Sequence, residues 1–111
     1  KYDGIFLIGG PGALENLDTP NMYFVLEEAQ KHNKYYGAIC VSPRILAKAR
    51  VLTGKKATGF NEDNKLEEIF KKYNVTLVNK PVVTDGKVIT ANGPKAALSF
   101  GHEIVNNITK K

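Results

Sequence analysis

Apolar residues along this chain fall into two alternating patterns. Short unbroken runs suit strands buried on both faces, and stretches with an apolar residue every three or four positions suit helices with one buried stripe. The first run, Ile5-Phe6-Leu7-Ile8, closes on Gly9-Gly10-Pro11-Gly12 and predicts a strand followed by a tight loop. Asp18-Thr19-Pro20 then supplies a cap residue and a first-turn proline for a helix whose stripe is Met22, Val25, Leu26 and Ala29, fading near His32-Asn33. A second run, Tyr36-Gly37-Ala38-Ile39, leads through Cys40-Val41-Ser42-Pro43 into a helix over residues 43–49. Further on, the pattern predicts a short strand at 56–58, a helix capped by Asn61 or Asp63 and carrying Leu66, Ile69, Phe70 and Tyr73, and a strand at 75–78. Asp85-Gly86, between Val82-Val83-Thr84 and Lys87-Val88-Ile89-Thr90, is a hairpin signal, and a last helix follows Asn92-Gly93-Pro94 to about Ile108. Alternating strands and helices imply an α/β domain with a mainly parallel sheet covered on both faces. No repeat or linker divides the chain, so residues 1–111 read as one domain.

Composition narrows the picture. The net charge of +5 comes from lysines scattered among acids, with two arginines, Arg44 and Arg50, which suits a solvated surface and not a nucleic-acid footprint. No apolar run reaches the ~18 residues of a membrane span, and no signal-peptide pattern opens the chain. A single cysteine excludes an internal disulfide, and the expected setting is reducing, intracellular and cytoplasmic. The chain opens at Lys1 almost inside a strand that needs neighbours on both sides. The sheet is therefore expected to lack an N-terminal part.

That cysteine is the main candidate for chemistry. Cys40 stands where an apolar strand turns into a helix, with small residues two before (Ala38) and two after (Ser42), as a nucleophile elbow requires. A thiol at a helix N-terminus faces unpaired backbone N–H groups, so a lowered pKa is expected. The plainer reading is a buried small hydrophobe. His32 and His102 lack companions at ligand spacing, so no metal site is expected. Gly9-Gly10-Pro11-Gly12 lacks the spacing and the following Lys-Ser/Thr of a phosphate loop.

Three blocks together resemble the ThiJ/PfpI superfamily and, within it, the DJ-one-like protein-deglycase branch. They are Tyr2-Asp3-Gly4-Ile5-Phe6-Leu7-Ile8-Gly9-Gly10-Pro11-Gly12, Ala38-Ile39-Cys40-Val41-Ser42-Pro43 and Thr84-Asp85-Gly86-Lys87-Val88-Ile89-Thr90-Ala91-Asn92-Gly93-Pro94. The resemblance implies a flavodoxin-like three-layer sandwich of which this chain is the C-terminal two thirds. It implies Cys40 as nucleophile, with the N–H groups of Gly10 and Val41 binding an oxyanion. The family's protonated glutamate belongs to the N-terminal part, so a complementary N-terminal polypeptide is implied as partner. Glu15 resembles an acid that some members bring to a neighbouring subunit's cysteine, and a homo-oligomer is expected. Many relatives carry His directly after the cysteine or near position 60. This chain has Val41 and Phe60, which argues against a Cys–His dyad built there.

The implied activity is on small reactive carbonyls such as methylglyoxal, or their adducts on proteins, through a hemithioacetal on Cys40, with no metal or organic cofactor. The alternative is a non-enzymatic redox sensor or chaperone that uses the same thiol. An intracellular cysteine peptidase is third.

Overall fold

A computed structural model describes residues 4–9 and 16–108. The helix stops and starts follow local chemistry. In α1 (Pro20–Lys31) the Thr19 side chain accepts the Met22 N–H at 3.2 Å, Pro20 occupies the first turn, and Leu26 and Ala29 are buried. Asn33, at φ +59°, ends the helix in the left-handed conformation that Asn tolerates better than most residues. Helix α2 (Pro43–Lys48) has six residues, and its first five are buried. For α3 (Leu66–Lys72) both expected caps contribute: Asn61 accepts the Leu66 N–H at 3.0 Å and Asp63 the Lys65 N–H at 3.2 Å. Helix α4 (Ala97–Ile108) follows a short 3-10 turn at Pro94–Ala96.

The main sheet has four strands: β1 (Gly4–Leu7), β2 (Tyr35–Ile39), β5 (Val82–Asp85) and β6 (Val88–Ala91), in the order β1-β2-β6-β5. β1 pairs with β2 and β2 with β6 in parallel, while β5 and β6 form the expected antiparallel hairpin. Its turn is centred one residue later than the Asp85-Gly86 signal suggests, because Asp85 still pairs with Val88 and Gly86 holds the positive φ of +66°. Asp85 is kept in the strand by a second duty, accepting the Lys56 N–H at 2.8 Å. The strands expected at 56–58 and 75–78 shorten to β3 (Lys56–Ala57) and β4 (Thr76–Leu77), a separate parallel pair. β3 stops where the Thr58 N–H turns to the Thr90 side chain of β6, at 2.9 Å.

Alternation along each strand sends side chains to opposite faces. On one face Leu7, Tyr36, Ala38 and Val88 pack with α1, α2 and α3 through Leu26, Ile45, Leu46 and Phe70. On the other, Ile39, Ile89 and Ala91 meet Phe100 and Ile104 of α4, with Phe6 edge-on to Phe100 at 6.2 Å. The result is helices, sheet and helix, the three-layer α/β sandwich that the sequence pattern predicts. Among the described residues no helix is long and apolar enough to cross a membrane, and β1 has no strand on its outer edge.

Candidate active site

Cys40 lies immediately past β2 with φ +64°, in the left-handed region, and α2 begins three residues later. A non-glycine residue held there stores about 1–3 kcal/mol and persists only when its surroundings fix it. Several backbone hydrogen bonds do so. The Cys40 N–H donates to the Ala91 carbonyl at 3.2 Å, the Phe60 N–H donates to the Cys40 carbonyl at 2.7 Å, and the Ser42 N–H donates to the Ile39 carbonyl at 3.3 Å. Ala38 and Ser42 are both fully buried, so the turn has the crowded flanks expected of an elbow.

The β1–β2 register, which ends with Leu7 opposite Ala38, carries two steps further to set Gly9 against Cys40. A Cβ on Gly9 would overlap the Cys40 Cβ and lie 2.6 Å from the Ile39 carbonyl oxygen. The sequence pattern singles out the neighbouring Gly10 and not Gly9. The signal was available, since a glycine at the end of one parallel strand faces the turn that ends the next. Gly10 and Glu15 lie outside the described residues.

Val41 follows the cysteine with its carbonyl accepting the Arg44 N–H at 3.1 Å, while its own N–H has no hydrogen-bond partner among the described residues. The Cys40 thiol is free and partly buried. Burial pushes its pKa up, against the lowering expected from a helix N-terminus. Helix α2 offers only six residues of dipole, and the nearby guanidinium of Arg44 is directed elsewhere. Desolvation, which disfavours the thiolate, is left as the stronger influence.

Arg44 is 4% exposed, and its Nη2 donates to the Phe60 carbonyl at 3.0 Å and to the Asp63 carboxylate at 2.6 Å. Arg44 and Asp63 carried no functional weight in the sequence, where an arginine in a helix reads as solvated. Phe60 also lines a cleft of about 790 Å³ together with Asn61, Asn92 and Pro94. Cys40 itself is not in that lining. The cleft adjoins the turn through Phe60 and through Asn92, which follows the Ala91 that accepts from Cys40.

The histidines lie elsewhere: His32 pairs with Glu28 on α1 at 3.2 Å, and His102 is exposed on α4. Among the described residues no group of three His, Cys, Asp or Glu side chains is placed to hold a metal ion.

Comparison with known proteins agrees with this fold. The DJ-1/PfpI family matches over residues 1–107. An uncharacterised protein of Methanocaldococcus jannaschii is 39% identical across 98% of this chain and 53% of its own length. A protein of Schizosaccharomyces pombe named glutathione-independent glyoxalase DJ-1 is 34% identical across the whole of this chain and 57% of its own. The crystal structure of Drosophila melanogaster DJ-1beta superposes with a TM-score of 0.84 at 29% identity, covering all of this chain and 59% of that one. A ThiJ/PfpI domain protein from Brachyspira murdochii shares the fold with a TM-score of 0.91 at 23% identity, over 99% of this chain and 62% of its own. The chain thus spans little more than half the length of these relatives. From the three-layer sandwich, the cysteine at the strand-to-helix turn and these similarities together, the chain belongs to the DJ-1/PfpI family.

Proposed function

We propose that this chain carries the nucleophile of a cofactor-independent glyoxalase- or deglycase-like enzyme acting on small reactive carbonyls. The observation that carries the reading is the left-handed Cys40 between Gly9 and a Val41 N–H that has no partner among the described residues. The Cys40 sulfur attacks the aldehyde carbon, a C–S bond forms, and the carbonyl electron pair moves onto oxygen to give a hemithioacetal oxyanion. The Val41 N–H, with that of Gly10, donates to this oxygen, where a preorganised donor is worth most. The relative named glutathione-independent glyoxalase supports the substrate class.

A thiol whose pKa burial raises needs a partner that stabilises its anion once the proton has passed to solvent. We assign this role to a protonated carboxyl group from a complementary polypeptide of the same domain, which donates a hydrogen bond to the Cys40 sulfur. Its docking place is the outer edge of β1, where a parallel strand with successive apolar residues has no neighbour among the described residues. The sensor alternative uses the same thiol, and the relative named a glyoxalase favours the carbonyl reading over it.

The test is lactate formation from methylglyoxal by the chain combined with that polypeptide. Turnover is expected in the unsubstituted pair and not with Cys40→Ser. Equal turnover with Cys40→Ser, or none in the unsubstituted pair, overturns the reading.

A further inference from the structure

We infer that Arg44 and Asp63 are positioning residues that hold the Cys40 turn through the backbone of Phe60. The inference deepens the proposed role of Cys40 and rests on it for its catalytic meaning.

Phe60 is gripped from two sides. Its N–H donates to the Cys40 carbonyl at 2.7 Å and its carbonyl accepts from Arg44 Nη2 at 3.0 Å, with the guanidinium 5.8 Å from the centre of its ring. The same Nη2 donates to Asp63 at 2.6 Å, and Asp63 also accepts the Lys65 N–H at 3.2 Å, which fixes the carboxylate to the start of α3. A continuous path therefore runs from α3 through Asp63, Arg44 and Phe60 to the carbonyl of Cys40, which is held in a left-handed conformation. Arg44 stands on α2, four residues after Cys40, so the clamp ties the helix that follows the cysteine to the loop that lies against it.

Burial supports a positioning role over a merely stabilising one. Arg44 Nε is buried with no hydrogen-bond partner among the described residues, which makes this a costly residue to keep where an apolar side chain would pack without that penalty. What an apolar side chain cannot do is hold a backbone carbonyl and a carboxylate at once. Lysine, a point charge without the planar fork, reproduces that poorly.

Released from the clamp, Phe60 withdraws its N–H and Cys40 relaxes out of the left-handed region. The thiol then becomes better solvated, and the desolvation that raises its pKa is relieved. The experiment is the pH dependence of alkylation by iodoacetamide, which reports one site because Cys40 is the only cysteine. It is run on the full 111-residue chain at low micromolar concentration. Asp63→Asn and Arg44→Lys are expected to move the alkylation midpoint to lower pH and to raise the rate at neutral pH at least threefold. Asp63→Glu should restore the original profile. Lys48→Gln, which breaks a different ion pair near the same helix, should leave the profile unchanged. If Arg44→Lys fails to fold, Asp63→Asn, at an exposed position, still decides the matter. A profile in Asp63→Asn that matches the unsubstituted chain, or a shift that Lys48→Gln reproduces, overturns the inference. Alkylation needs no substrate, so absent methylglyoxal turnover would defeat the functional reading and leave this result standing.

Discussion

Cys40 holds a backbone conformation that its own side chain disfavours, and glycine at position 9 is what leaves room for it. Gly9→Ala drives a methyl group into the Cys40 Cβ, and the Ile39 carbonyl that would have to yield belongs to the paired β2. The expected outcome is loss of methylglyoxal turnover by at least about a hundredfold, near the effect of removing one oxyanion donor. Kinetics on the substituted pair check it, and activity within a few-fold of normal would show that Gly9 does not shape the turn. Ala38→Val, at a fully buried site one strand step before the turn, is expected to cost about 1–3 kcal/mol by overpacking, read from denaturant unfolding. The cysteine was legible because small residues and a proline surround it in sequence. Arg44 and Asp63 were not, because their meaning depends on the loop from Phe60 to Asp63 folding back sixteen to nineteen positions away in a direction no local pattern records.

Helices α1 and α2 are tied by Asp18, which accepts from Lys48 at 2.7 Å and from the Tyr23 hydroxyl. Burial works against the Asp18 charge, but the hydrogen bonds from Lys48 and Tyr23 hold its carboxyl below the usual range. Tyr23 responds oppositely: burial, then its hydrogen bond to Asp18, pushes its pKa up to about 12. A lowered carboxyl contributes stability above its unfolded pKa, and that contribution is lost as pH falls through the folded value. A raised phenol contributes stability below about pH 10, lost as pH rises through its folded value. Thermal melts across pH should therefore fall away below about pH 4 and again above about pH 10. Asp18→Asn is expected to flatten both arms, and an unchanged profile would show that the tie carries no stability. At this scale the sequence located α1 to α4 and β1 to β6 but not the length of each. β3 is short because the Thr58 N–H donates to the Thr90 side chain and the Lys56 N–H to Asp85, which takes up backbone groups that a longer strand would use.

Across the whole molecule the alternation of patterns was sufficient to anticipate a parallel sheet between helical layers, since strands apolar on successive residues have no other stable surroundings. The strand order was not legible, because β2 lies beside β6 through contacts far apart in sequence. The open edge of β1 and the exposed Ile8 beyond it give the chain a surface on which a second copy can pair. The chain alone is expected to self-associate as concentration rises, seen as a growing hydrodynamic radius. Ile8→Lys should suppress it, and a radius independent of concentration would show that the edge is not adhesive.

The pairing of β2 with β6 also has a consequence in time. Tyr36 meets Val88, and the Cys40 N–H meets the carbonyl of Ala91, so the turn cannot be completed until residues far downstream have been made. At about 5–20 residues per second, the ribosome extrudes the cysteine some seconds before its last partners arrive. During that interval the thiol has neither its cover nor its conformation. Oxidants and electrophiles in the surrounding medium thus meet it first as an ordinary unfolded cysteine, and each newly made chain passes through a brief exposure that the finished fold then closes.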